Sequence, residues 1–327
     1  MSKSLGNVVA PQSVMNQLGA DVLRLWVAST DFSGEMSVSD EILKRTSDSY
    51  RRIRNTARYL LANLDGFEPG ESLLSTEELL DLDRWVLDRA NQLQTEIIAD
   101  YQAYRLHTIY QKLHNFCVTG LGAFYLDIIK DRIYTCPTDS QARRSAQTAI
   151  YHIAQALVRW ISPILSFTAD EIWDFMPGTE GNVFVAEWYE GLVNLDSDAK
   201  LSAEDWQRVI EIRELVNQEI ETVRQNGGLG GALEAEVDIY LGSKDYELLD
   251  RLGAELRFVL IVSAARIHSA YEGESTEIEI KVAKSDEAKC VRCWHHREEV
   301  GRDTNHPELC LRCVENIETS GESRYFA

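Results

Sequence analysis

The sequence predicts a mainly α protein: a helical bundle, then a small α/β module, then a C-terminal four-cysteine knuckle. Three observations predict it. Between residues 40 and 176 apolar positions recur at three- and four-residue spacing, and none alternates as a strand does. After Pro177-Gly178 the pattern changes to short β-rich runs around helices. Near the end, Cys290-Val291-Arg292-Cys293 and Cys310-Leu311-Arg312-Cys313 stand sixteen residues apart.

The first residues run from a Ser/Gly/Asn-rich turn, Ser2-Lys3-Ser4-Leu5-Gly6-Asn7, into short helices expected around Pro11–Leu18 and Ala20–Ala28. Ile42, Leu43, Ile53, Ala57, Leu60, Leu61 and Leu64 place a long helix over 40–64, closed by a loop around Gly66–Gly70. Ser75 and Glu78 form a capping box predicted to open the next helix, which Leu82, Trp85, Val86, Leu93 and Ile97 continue. Amphipathic helices are expected over about 101–133 and 140–175, the second interrupted at Pro163. A helix from Ser202 to Gln225 ends at Gly227-Gly228-Leu229-Gly230-Gly231. Ala235–Leu241, Phe258–Ile267 and Glu277–Val282 read as strands around a helix at Tyr246–Leu252. The glycine cluster lacks the Gly-Lys-Ser/Thr of a phosphate loop and follows a helix, where a phosphate loop follows a strand. It reads as a helix stop and turn.

Each CxxC pair can place two thiolates on one ion from a tight turn, and the intervening loop can bring the second pair round to complete a tetrahedron. Soft thiolates select a d10 ion, and four protein ligands leave no open position. One structural Zn2+ on Cys290, Cys293, Cys310 and Cys313 is therefore expected to hold a fold and not to catalyse. Two disulfides or a redox dithiol are the alternatives. No signal peptide precedes the Met-Ser-Lys-Ser start, and the cytoplasmic location this suggests keeps thiols reduced. His295, His296 and His306 lie within the loop and could replace a cysteine; Cys117 and Cys136 are expected as buried core thiols.

A chain of 327 residues allows two or three domains, and no apolar run is long enough to span a bilayer, so no membrane partner is expected. A net charge of -20 argues against a generic polyanion binder unless cations gather on one face. From Lys44-Arg45 to Arg58 there are six cations within fifteen residues, whereas acids crowd 65–100 and 187–221. Arg51, Arg54 and Arg58 share one helix face while Ile53, Ala57, Leu60 and Leu64 pack inward. A guanidinium row can grip successive phosphates; the alternative is a solvated face paired to acids such as Asp48. Near the cysteines, Arg292, Trp294, His295, His296, Arg297 and Arg312 mix cations with an aromatic ring, the chemistry that stacks and clamps unpaired bases. Trp294 could equally pack over the knuckle as its small core.

Met1-Ser2-Lys3-Ser4-Leu5-Gly6-Asn7 resembles the Lys-Met-Ser-Lys-Ser signature of class I aminoacyl-tRNA synthetases, without its first lysine. The likeness continues through Gly19-Ala20-Asp21-Val22-Leu23-Arg24-Leu25-Trp26, Ser39-Asp40-Glu41, Tyr50-Arg51-Arg52-Ile53-Arg54-Asn55-Thr56, Phe124-Tyr125-Leu126-Asp127 and the run from Pro163 to Trp173. The tail, from Cys290 through Trp294-His295 to Arg324-Tyr325-Phe326-Ala327, is similar to the zinc-bearing end of the bacterial isoleucyl-tRNA synthetases.

The resemblance implies a ligase that joins isoleucine to tRNA(Ile) through an aminoacyl-adenylate, using ATP and Mg2+ in the full-length enzyme. It implies that Lys3 is catalytic, meeting the ATP phosphates as charge builds on the leaving pyrophosphate, with Ser2 and Ser4 as donors in the same ATP-contacting loop. Without the family, this segment reads as a disordered polar end. The resemblance also directs Arg51, Arg54, Arg58, Arg292 and Trp294 toward tRNA. In that family the Rossmann halves, the His-Ile-Gly-His signature and the editing domain precede the signature loop. The chain is therefore expected to be the C-terminal half, from an incomplete or split gene or a truncated form, monomeric and inactive alone. Its expected parts are a signature loop and stem-contact segment over 1–30, a helical anticodon-binding domain over 31–190, an α/β junction module over 200–285 and a zinc-binding tail over 286–327. A non-catalytic module acting in trans on tRNA and a zinc-knuckle protein scaffold remain as alternatives.

Overall fold

The computed structural model describes residues 4, 8–195, 198–269 and 278–327. It divides into two compact units: Met1–Leu73, Val86–Tyr125 and Gln147–Asn194 form the first; Leu74–Trp85, Leu126–Ala146 and Leu195–Ala327 form the second.

The helices follow in order as α1 (Pro11–Leu18), α2 (Ala20–Ser29), α3 (Asp40–Ala62), the one-turn α4 (Pro69–Ser72), α5 (Asp81–Gln102), α6 (Leu106–Asn115), α7 (Leu126–Thr135), α8 (Gln141–Ile161) and α9 (Ser166–Phe175). The Ser39 hydroxyl caps α3 by accepting from Ile42 N at 3.2 Å, and Asp40 and Glu41 complement the helix dipole in its first turn. Inward positions Ile53, Ala57, Leu60 and Leu64 are all buried, so the amphipathic reading of α3 holds. Two stretches of the family likeness meet in the first unit. Buried Asp21 accepts from Thr168 N at 2.7 Å and Thr168 Oγ1 at 2.6 Å, and Arg24 donates to the carbonyls of Ile164 and Pro163, each at 2.8 Å. These residues pin α2 to the start of α9 and satisfy backbone groups that the Pro163 break leaves open.

Three expected boundaries are corrected. The Ser75–Glu78 capping box forms, with Ser75 N donating to Glu78 Oε2 at 2.9 Å, but it caps only a 3-10 turn at Thr76–Glu78. The Leu80 N–H turns instead to Ser145 Oγ at 2.8 Å, and α5 starts at Asp81. The helix expected over 101–133 breaks at Tyr104, whose φ is 56°, and then passes through a π-helix over Phe116–Tyr125. A Cβ on Gly122 would lie 3.0 Å from the Cys117 carbonyl oxygen, a tight approach that glycine relieves in the wide turn. The strand expected over Phe258–Ile267 begins as helix, because a short buried apolar run does not distinguish the two states.

In the second unit, α10 (Ala203–Gln225) opens with a reciprocal Ser202–Asp205 box at 3.0 and 3.1 Å. It closes on Gly227, φ 77°, with Gly228 N donating to Val223 O at 2.9 Å. Gly230 N donates to Glu234 Oε2 at 3.1 Å, so the chain's own carboxylate occupies the glycine cluster. Then come β1 (Ala235–Leu241), α11 (Ser243–Leu252), α12 (Leu256–Leu260), β2 (Ala264–Ser269), β3 (Glu279–Lys284) and α13 (Leu311–Glu318). The strand order is β2-β1-β3, with β1 parallel to β2 and antiparallel to β3, and Ile239 stands opposite Ile267 and Ile280. Ala235, Val237, Ile239 and Leu241 form the buried face of β1. Arg132 and Asp83 make a fully buried bidentate pair at 2.8 Å for both bonds. Asp131 takes Arg312 at 2.6 and 2.9 Å and Arg324 at 2.7 Å, binding the knuckle's last helix to α7. Among the described residues no helix is long and apolar enough to cross a membrane.

Candidate metal centre and nucleic-acid interface

Cys290, Cys293, Cys310 and Cys313 are all buried, and their sulfurs lie within 4.8 Å of one another. Two local structures bring them there. In the first CxxC turn, Trp294 N donates to Cys290 O and Cys290 N to His295 O, both at 2.9 Å. Cys310 sits at the N-cap of α13, so Cys313 returns on its first turn. Cys310 N donates to Cys290 Sγ at 3.4 Å, and Val300 and Leu309 pack against the four sulfurs. A tetrahedral ion with metal–sulfur bonds of about 2.3 Å has sulfur–sulfur edges of about 3.8 Å. Cys293 Sγ and Cys310 Sγ stand 3.7 Å apart, and all four thiols are free of disulfides. The donor set fits a structural zinc. Cys293 is held far below the usual thiol range, chiefly by hydrogen bonding to Cys290 and the other sulfurs, whereas Cys310 and Cys313 are pushed up by sharing their protons with them.

None of the loop histidines belongs to the four-sulfur donor set, although His295 hydrogen-bonds to Cys293. His296 Nδ1 is 2.8 Å from Glu287 O, His306 Nε2 is 3.2 Å from Glu318, and His295 is buried edge-on against Phe258. Cys117 and Cys136 are buried, as expected of core thiols; burial pushes them up to about 12 and about 11.

Trp294 is 59% exposed and does not form the core of the knuckle. Its φ is 67°, and Lys289 Nζ lies 5.2 Å from its ring. Arg292, on the same turn, is half-buried and donates to Thr135 O. Sequence reasoning passed over Tyr134, which is exposed beside this turn, because only the three-dimensional path of α7 brings it there.

The α3 arginines keep their common face, but two of them are engaged. Arg51 pairs with Asp48, the acid the sequence named, and Arg54 makes bonds of 2.6 and 2.8 Å to Glu171 of α9. Arg58 is exposed. No periodicity within α3 could have found Glu171, which is 117 residues away. Exposed Phe167 and Phe175 flank Glu171 on α9, one helical turn to either side. Of the signature loop, Ser4 is exposed; Ser2 and Lys3 lie outside the described residues.

Three family descriptions match: the anticodon-binding domain of tRNA ligases over residues 83–239, the class I tRNA synthetases for I, L, M and V over 1–39, and the zinc finger found in FPG and IleRS over 288–316. The isoleucine–tRNA ligase of Saccharophagus degradans is 60% identical over all of this chain and 36% of its own length. That of Methylococcus capsulatus is 56% identical over the same shares, and that of Halorhodospira halophila 58% identical over 99% of this chain and 36% of its own. The chain thus spans about a third of the length of the curated relatives it matches. A solved LeuRS–tRNA–LeuAMS complex from Agrobacterium radiobacter K84 aligns with a TM-score of 0.41 and 14% identity over 74% of this chain and 24% of that one. The chain is homologous along its whole length to bacterial isoleucine–tRNA ligases, and it carries an anticodon-binding and a zinc-finger region of the tRNA ligase families.

Proposed function

We propose that the chain is the C-terminal, tRNA-binding part of an isoleucine–tRNA ligase, which joins isoleucine to tRNA(Ile) through an aminoacyl-adenylate made from ATP with Mg2+. The observation that carries this reading is identity of 54–60% to such ligases along the whole chain. In this reading 31–190 engages the anticodon arm, 200–285 is the junction module, 286–327 is the zinc-held tail, and 1–30 supplies the signature loop and stem contacts. Lys3, with Ser2 and Ser4, meets ATP only when a nucleotide-binding half is present. Arg51, Arg54 and Arg58 grip phosphates, while Arg292 and Trp294 meet unpaired bases. The chain works as a monomer in the cytoplasm.

Filter-binding titrations with tRNA(Ile) and a non-cognate tRNA at several salt concentrations test this. The zinc-loaded chain should prefer tRNA(Ile), with affinity falling as salt rises. It should show no ATP–pyrophosphate exchange alone, since a phosphate-facing lysine accelerates nothing until ATP and amino acid are held in place. Equal affinity for both tRNAs, or exchange above background, rejects the reading.

A further inference from the structure

We propose that Arg324–Ala327 form a clasp that caps the start of helix α5, and that the clasp closes only when the four-cysteine site holds its metal. Metal occupancy is thereby read at a helix start remote in sequence from the cysteines. Every group involved belongs to the second unit, and none of the bonds depends on the chain's binding RNA.

The need arises at α5. The first amides of a helix have no partner within it, and a buried helix start must find one elsewhere. Asp81 and Leu82, the first residues of α5, are 3% and 0% exposed. The Asp81 carboxylate is engaged by Lys200 N at 2.7 Å, Leu201 N at 3.0 Å and Trp206 Nε1 at 3.1 Å. The tail supplies the acceptors that the two amides require: Asp81 N donates to Tyr325 O at 3.3 Å and Leu82 N to Phe326 O at 2.9 Å. The donor side of the same tail is held as fully. Tyr325 N donates to Glu255 Oε1, and Phe326 N and Ala327 N to Glu255 Oε2, each at 2.9 Å. Glu255 is buried, so these are charge-assisted bonds with little water to compete for them.

The tail has no frame of its own. Residues 319–327 form no helix or strand, and Tyr325 is 58% exposed, so polar bonds do most of the holding. Those bonds lead back to the knuckle. Arg324 Nη2 donates to Asp131 at 2.7 Å, and its Nε lies 3.1 Å from Glu322. Arg312 takes the same two carboxylates, Asp131 at 2.6 and 2.9 Å and Glu322 at 3.0 Å. Arg312 stands between Cys310 and Cys313 on the first turn of α13, so the geometry of the sulfur site sets where its guanidinium lies. Asn316 of the same helix donates to Glu322 at 3.0 Å and accepts from Glu322 N at 2.8 Å. The intervening turn needs Gly321, whose φ is 94° and whose Cβ would stand 2.7 Å from Pro137 Cδ.

The four charged side chains of this group are each 15% exposed or less, and displacing Arg312 leaves buried partners uncompensated. A segment with few apolar contacts of its own opens readily once such an anchor moves. Coupling between two sites is reciprocal, so a metal that closes the clasp is in turn held more tightly by the closed clasp.

The test follows amide hydrogen exchange across the full chain, loaded with zinc and again after a chelator has removed it. With zinc, Asp81, Leu82 and Tyr325–Ala327 should all exchange slowly; without it they should exchange about 5- to 150-fold faster, the range for coupled sites. Trypsin should then cut after Arg324, whose side chain is 1% exposed in the closed clasp. Removing Tyr325–Ala327 should free the Asp81 and Leu82 amides even with zinc bound. It should also lower zinc affinity, read by competition with a chelating dye, by a factor in about the same 5- to 150-fold range. Glu255→Gln keeps the shape of the side chain but only one acceptor oxygen, and should act in the same direction. Protection of α3 establishes that each sample is folded; if the shortened chain loses it, Glu255→Gln decides in its place. Asp81 and Leu82 amides equally protected with and without zinc, or zinc held as tightly by the folded variants as by the whole chain, would refute the clasp. Neither result touches the tRNA-binding reading.

Discussion

Arg54–Glu171 in the first unit and Arg132–Asp83 in the second are the same chemical object, a bidentate guanidinium–carboxylate pair with bonds of 2.6 to 2.8 Å. Their side chains are 41% and 50% exposed in the one and 1% and 0% in the other. Water screens the first pair, so it adds little to stability and either partner can be exchanged for another. The second has no water to fall back on, and removing one partner strands a buried charge. The same chemistry thus serves as a replaceable pairing in one unit and as fixed architecture in the other. The first unit's Arg45–Glu41, Arg51–Asp48, Arg54–Glu171, Arg105–Asp100 and Lys112 pairs each keep at least one partner more than a quarter exposed, whereas the second unit also buries the Asp131–Arg312–Arg324–Glu322 group.

The strongest way to break this contrast is to remove the four-thiolate site. A small knuckle with Val300 and Leu309 as its apolar filling has little core of its own, and structural zinc supplies about 10–16 kcal/mol of apparent folding energy in small zinc-dependent peptides. Chelation, or Cys310→Ser, should strip hydrogen-exchange protection from 288–316 and leave α3 protected. Full protection of that segment in Cys310→Ser would remove zinc from the account of the fold.

Next in size is the pair itself. Asp83→Asn should cost about 3–5 kcal/mol in urea unfolding, while Glu171→Gln should cost less than about 1 kcal/mol. The double change Asp83→Leu with Arg132→Met should recover most of the loss, because it removes the stranded charge as well as the bond. Acid should reveal the same asymmetry. Burial alone would raise the Asp131 carboxyl, but Arg312 and Arg324 outweigh it and hold the group well below the usual range. A depressed folded value means the contribution is complete above the unfolded value of about 4 and is lost as pH falls below it. Asp131→Asn should therefore lower stability at neutral pH and flatten the decline below about pH 4. Equal costs for Asp83→Asn and Glu171→Gln would erase the contrast.

Much of this was legible in the sequence. The CxxC spacing specified the sulfur cluster, because few arrangements bring two such turns together other than around one ion. Apolar spacing located α3, and Pro163 located the break before α9. What stayed illegible depends on partners distant in the chain. Nothing around Ser75 announces that Ser145 takes the Leu80 amide, and nothing in α3 announces Glu171. The run at Phe258–Leu260 is buried throughout, so neither helical nor strand periodicity could show in it. As a residue of the knuckle loop, His295 reads as a spare metal ligand; only the folded chain buries it edge-on against Phe258, beside the Cys293 sulfur.

The smallest expected effect sharpens the contrast most, because it asks what the replaceable pair is for. If the α3 row grips phosphates, RNA must take Arg54 from Glu171 and Arg51 from Asp48, and each exchange offsets part of the gain. Replacing Arg51, Arg54 and Arg58 together with glutamine should weaken binding to all tRNAs alike and lower the salt slope by about one for each phosphate no longer gripped, with stability changed by less than about 1 kcal/mol. Glu171→Gln should act in the opposite direction. It frees the guanidinium and removes a negative charge from the approach of the phosphate, so affinity should rise about two- to fivefold, the measured worth of an exposed pair. Filter binding at several salt concentrations reads both effects. Unchanged affinity in both variants would make the α3 face an ordinary solvated surface, with its arginines paired to acids and nothing more.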